Sequence, residues 1–169
     1  MADVRTIRRL THYRGWADGL TYEAVGALPP GEAAKERPTL FKTIIGTLNH
    51  NLVIDLIWRG HLEGRDHGFK ARNVVVHPEL PALWAAQQKV NRWYVDYASA
   101  LPEAKFDEIV PFKFLSGVEG AMTRGDILLH IANHGTYHRG WVADMFFQVP
   151  AKNPSTDLPD FVAATGYKD

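Results

Sequence analysis

A chain of 169 residues, 46% apolar and 22% charged, carries enough nonpolar material to fold as a single globular domain over residues 1–169. Its 19 basic and 19 acidic side chains cancel, which excludes the strong field that gathers nucleic acid, anionic lipid or acidic partners. Cysteine is absent, so disulfides, thiolate metal sites and a cysteine nucleophile are excluded, and any thiol chemistry needs a thiol from outside.

The start, Met1-Ala2-Asp3-Val4-Arg5, has no apolar signal core, and no stretch has the unbroken apolar length that spans a bilayer. The cytoplasm is therefore the expected location. Over residues 4–28, Val4, Ile7, Leu10, Tyr13, Trp16, Ala17, Leu20, Ala24 and Val25 recur at three- and four-residue steps, which predicts a first amphipathic helix closed by Pro29-Pro30-Gly31. Its basic cluster, Arg5, Arg8 and Arg9, reads as a solvated helix face rather than a nucleic-acid patch.

A second helix is predicted over 38–63. Phe41, Ile45, Leu48, Leu52 and Leu56 form one stripe, and Gly46, Val53, Ile54 and Ile57 lie opposite. A helix apolar on two sides belongs at the centre. Residues 64–77 mix charge and glycine with the β-prone run Val74-Val75-Val76 and read as a long connection with extended chain in it. The third helix covers 79–101, with Leu83, Val90, Trp93, Tyr94 and Tyr97 as its apolar members and Pro102 beyond its end. Alternation through Ile109 and Pro111-Phe112-Lys113-Phe114-Leu115, then Ser116-Gly117, predicts a short hairpin or extended crossover within 106–120. Thr123-Arg124-Gly125-Asp126 has the form of a capping box and opens a fourth helix to about residue 148, stopped by Pro150. The tail from Asn153 is expected to lie over the bundle as irregular chain or a short turn. The predicted fold is all-α, a four-helix bundle with long connections.

Chemistry concentrates in the histidines. Three of the eight, His130, His134 and His138, follow one another at four-residue steps on the fourth helix, the spacing that lets two imidazoles share an ion. All three cannot bind one ion, because two turns separate the outer pair by about 12 Å while a metal–nitrogen bond is about 2 Å. At about 100° per residue the buried face centres on Ile127, Ile131, Val142 and Met145, with His134 and His138 near it and His130 at its edge beside Tyr137 and Gln148. His134 and His138 are therefore the expected ligands. A pair of core histidines held by hydrogen bonds is the structural alternative. A tetrahedral site wants a third protein ligand, and His50, on the second stripe of the second helix, is the best candidate.

With these residues in view the chain resembles the DinB-like family of metal-binding four-helix bundles. Phe41-Lys42-Thr43-Ile44-Ile45-Gly46-Thr47, continuing through Leu48-Asn49-His50 to Trp58, is similar to the segment around that family's first histidine ligand. Asn133-His134-Gly135-Thr136-Tyr137-His138-Arg139-Gly140 resembles its second motif, and Tyr13-Arg14-Gly15-Trp16-Ala17-Asp18 and Asp157-Leu158-Pro159-Asp160-Phe161-Val162 extend the likeness to both ends. Two positions depart from it: Tyr137 stands where many relatives have another histidine, and Trp141 where glutamine is common. The resemblance implies one divalent transition metal, zinc or nickel, on His50, His134 and His138, and a homodimer. It also implies relatives that transform small molecules with low-molecular-weight thiols.

Around that site His130, Asp55, Trp58, Tyr137, Arg139 and Trp141 are candidates for the outer shell and the pocket wall, with structural roles as their alternatives. Asp55 could equally be a surface or capping residue, Trp58 a core aromatic, and Arg139 a partner for a carboxylate rather than for an anionic substrate. The expected function is a metal-dependent enzyme with thiol-dependent transferase chemistry. The rivals are a non-catalytic metal-binding or stress-associated protein and a metal-dependent hydrolase. A His-Glu-x-x-His peptidase is disfavoured because Gly135 follows His134.

Overall fold

Three of the four long helices begin on a side-chain cap. In the computed structural model, which describes residues 3–149 and 151–167, Asp3 accepts from the Thr6 amide and opens α1 (Val4–Gly26). Thr43 accepts from the Gly46 amide and opens α2 (Ile44–Glu63). Thr123 accepts from the Asp126 amide and opens α4 (Arg124–Phe146). Each cap satisfies a donor that the first helical turn leaves without a partner. The third helix, α3 (Leu80–Ala100), starts with proline in its first turn, where the missing amide costs nothing.

Helices α1 and α2 each pack on both α3 and α4, and the bundle core runs through Leu48, Leu52, Val53, Leu83, Ile127, Ile131 and Met145, all at most 1% exposed. The two-sided apolar α2 is buried on nearly all faces, as a central helix must be. Between α3 and α4 lies the hairpin β1 (Ile109–Lys113) and β2 (Glu119–Thr123), antiparallel with Phe112 opposite Gly120. A Cβ at Gly120 would sit 2.7 Å from the Phe112 ring, so a side chain there would push that ring aside. Among the described residues no helix is long and apolar enough to cross a membrane.

Three local expectations are corrected. Helix α2 begins at Ile44 rather than near Pro38, because Lys42 adopts φ 62° and Thr43 is extended. Phe41 is thereby outside the helix. The connection after α2 is the long irregular one expected, and its β-prone run pairs with no strand, Val74, Val75 and Val76 being exposed. It is pinned instead by buried Asn49, whose Oδ1 accepts from the Val76 and His77 amides at 2.9 and 3.0 Å and whose Nδ2 donates to the His77 carbonyl at 2.8 Å. The tail forms a fifth helix, α5 (Leu158–Thr165), anchored by Phe161 against Tyr13 and Trp16 on α1. Eight residues are too few for the apolar period to announce it. The basic cluster is more than a solvated face, since Arg8 donates to the Ala98 and Leu101 carbonyls at 3.1 and 3.0 Å and closes the end of α3. Helix α4 ends at Phe146, and Pro150, read from sequence as its stop, lies outside the described residues.

Candidate metal centre

The bundle brings His50 on α2 against His134 and His138 on α4. Each imidazole offers a nitrogen within 4.8 Å of the other two, and the ring centroids are 4.4 to 5.2 Å apart. Such a cluster could hold one metal ion, whose bonds of about 2.0–2.1 Å to imidazole set tetrahedral nitrogens about 3.3 Å apart. Small side-chain rotations close the difference.

Two observations on the rings favour ligation over a structural role. His50 Nδ1 lies 3.1 Å from the Arg72 carbonyl, a contact that puts the proton on Nδ1 and leaves Nε2 free to ligate, as second-shell carbonyls do at metal sites. His134 and His138 each bury Nδ1 with no hydrogen-bond partner among the described residues. A histidine pair kept for structure would satisfy those atoms, because an unpaired buried polar group is costly.

The surroundings keep the rings neutral. Burial, then the neighbouring His138 and the charge of Arg14, pushes the His134 pKa down to about 2, and burial followed by His50 and Arg14 pushes His138 down to about 4. Burial also lowers His50; the hydrogen bond to the Arg72 carbonyl works against that shift, and the Arg72 charge adds to it. Neutral imidazole is the form that ligates. In the unfolded chain the same rings take protons near pH 6.5, so below that pH the unfolded state binds more protons than the folded one. The stability of the metal-free protein is expected to fall as pH drops from about 6.5 towards 4. Urea unfolding across that window checks it, and a flat profile would contradict the burial of these rings as neutral groups.

The remaining candidates fall into two groups. His130 is not in the cluster; its ring lies 5.7 Å from that of His134 and 5.0 Å from Trp58. With Trp58, Ile54, Ile57 and Phe112 it walls a cavity of about 180 Å³ that opens beside His50 and His134. On the opposite side Tyr137, largely exposed, and Trp141 stand edge-on to His138. Phe41, which sequence reasoning placed on a helix stripe, stacks on His50 at 4.3 Å and meets His138 and Trp141.

Asp55 and Arg139 belong to a buried polar network behind the cluster. Asp55 accepts from Arg14 at 2.6 Å and from Gln87 at 2.8 Å. Burial raises its pKa to about 6, against the pull of Arg14. Arg139 donates to Asp18 at 3.0 Å, to Thr136 and to the Tyr13 hydroxyl. Of its two expected roles it fills the carboxylate-pairing one. Arg14, within the N-terminal motif Tyr13–Asp18, also donates to the Ile131 carbonyl within α4. A Cβ at Gly135 would lie 2.7 Å from the Arg14 guanidinium carbon. A side chain at the position after His134 would have to displace the Arg14 guanidinium from its buried partners. The one local signal for this network is Arg14 and Asp18, two charged residues four apart on the apolar face of α1.

Sequence comparison agrees with this architecture. A family model described as "DinB family" matches residues 1–169. The chain is also 26% identical over 154 residues to Protein DinB of Bacillus subtilis (strain 168), with 88% of this chain and 89% of that protein covered.

Proposed function

We propose that this chain, which belongs to the DinB family, uses His50, His134 and His138 to bind one divalent transition-metal ion, zinc or nickel, and carries out thiol-dependent group transfer beside it. The observation that carries the reading is the convergence of three neutral imidazoles on one point, two with buried Nδ1 atoms that no other group among the described residues satisfies. An ion held there would supply a Lewis-acid position that lowers the pKa of an exchangeable thiol or water.

The protein's own residues set the rest. No cysteine is present, and Gly135 stands where a His-Glu-x-x-His peptidase has its glutamate, so the chain itself offers neither a thiol nor that base. A low-molecular-weight thiol entering the cavity gives its S–H proton to solvent. Its sulfur then bonds to the electrophilic atom of the substrate, and the leaving group departs with the electron pair of the bond it breaks. Trp58, Phe112 and Ile57 exclude water from the inner wall of the cavity.

The test replaces the native metal with cobalt and titrates with low-molecular-weight thiols. A new near-ultraviolet sulfur-to-cobalt band, absent from the His134→Ala protein, is the expected result. Thiols without spectral effect, together with metal-dependent hydrolysis of an ester or amide, would replace transfer by hydrolysis. Neither activity would leave the non-catalytic metal-binding reading.

A further inference from the structure

The cavity has a chemical bias that the metal-site reading does not use. Its inner walls are Ile54, Ile57, Trp58 and Phe112, while Arg72 and Lys113 stand among its lining residues and, among the described residues, no acidic side chain does. Two hollows that share Phe114 and Leu115 with it add Lys70 and Arg65, with Asp66 the single acid between them. In a chain whose charges cancel, this gathering of cations is local. Among the described residues neither Arg72 nor Lys113 meets a carboxylate at ion-pair distance.

We propose that the cavity takes a small organic anion whose apolar body lies against Ile54, Trp58 and Phe112 and whose carboxylate or phosphate group rests on Arg72 and Lys113. That this anion is a substrate rests on the metal-enzyme reading; that it binds does not. The volume of about 180 Å³ limits the apolar body to about one six-membered ring, since a dry protein cavity of about 150 Å³ accommodates benzene. The planar fork of a guanidinium suits a carboxylate or phosphate in two-point contact. Placement follows from the backbone: the Arg72 carbonyl accepts from His50, so the residue that grips the anion also touches a candidate ligand. An anion on Arg72 therefore keeps the ring beside the histidine cluster.

Calorimetry of the full-length protein, metal-free and zinc-loaded, with benzoate, phenyl phosphate, benzamide and inorganic phosphate tests this. Benzoate or phenyl phosphate is expected to bind both forms, at least about tenfold more tightly than benzamide or inorganic phosphate. Arg72→Gln should weaken the aromatic anion about tenfold, and Lys113→Gln should weaken it further in the double variant. Both side chains are exposed, so the variants keep the fold. Benzamide binding as tightly as benzoate, inorganic phosphate binding as tightly as phenyl phosphate, or unchanged affinity in Arg72→Gln would each overturn the proposal. Anion binding seen only with zinc and indifferent to Arg72 would overturn it too, by placing the anion on the ion. A protein that takes up no metal would sink the metal reading alone, because the metal-free arm reads the anion site independently.

Discussion

Alanine in place of His134 is expected to abolish stoichiometric metal binding, while alanine in place of His130, one turn away on the same helix, leaves about one ion per chain. The argument is geometric. His134 supplies one of three nitrogens that converge within 4.8 Å, and His130 instead turns its ring to Trp58 and the cavity wall. Outer-shell substitutions at metal sites cost about 10–100-fold in affinity, so removal of a direct ligand should cost more than about 100-fold. His50→Ala and His138→Ala should behave as His134→Ala does. Metal analysis after dialysis, followed by calorimetric titration of the stripped proteins, measures all four. An equal loss in His130→Ala would place His130 among the ligands on α4; full occupancy in His134→Ala would dismiss the cluster as a metal site.

Much of this site was legible from periodicity. Rotation along α4 put His134 and His138 near the centre of the buried face and His130 at its edge, and the structure groups the first two with His50. The rotation works because the helix is regular and its buried residues, Ile127, Ile131, Val142 and Met145, mark one side. Features built by chain reversal were not legible. Phe41 covers His50 only because Lys42 takes a positive φ, which apolar spacing does not encode. The Asn49 clamp and the Arg72 carbonyl depend on where a long irregular connection lands. The cavity exists because a hairpin brings Phe112 and Lys113 beside α2, a juxtaposition set by tertiary packing. Asp55, one turn beyond His50 and expected either in the outer shell of the metal or at the surface, turns instead towards α1 and α3, where it is buried and Arg14 and Gln87 meet it.

The largest loss of stability is expected from Asp18→Ala, a residue that touches neither the histidines nor the cavity. Asp18 is 3% exposed and receives Arg139 on one oxygen at 3.0 Å and Asn91 and Arg14 on the other at 3.0 and 3.4 Å. It is the carboxylate shared by two buried guanidiniums. Removing it leaves Arg14 with Asp55 as its one carboxylate, beside the Ile131 carbonyl, and leaves Arg139 with only hydroxyl partners, those of Tyr13 and Thr136. An uncompensated buried charge of this kind costs about 3–5 kcal/mol, a large share of the total stability of a domain this size. Asp18→Asn retains an oxygen acceptor and should cost less. The exposed pair Lys42–Glu36, 3.9 Å apart with both side chains more than 70% exposed, provides the control, and Glu36→Ala should cost about 0–1 kcal/mol. Urea unfolding of the metal-free proteins at pH 7 compares the three. Because α1 carries no candidate ligand, whatever fraction of Asp18→Asn remains folded should still bind metal. A cost below about 1 kcal/mol for Asp18→Ala, the range of surface pairs, would mean that water reaches these guanidiniums and that the network is not the rigid floor on which α4 holds its histidines.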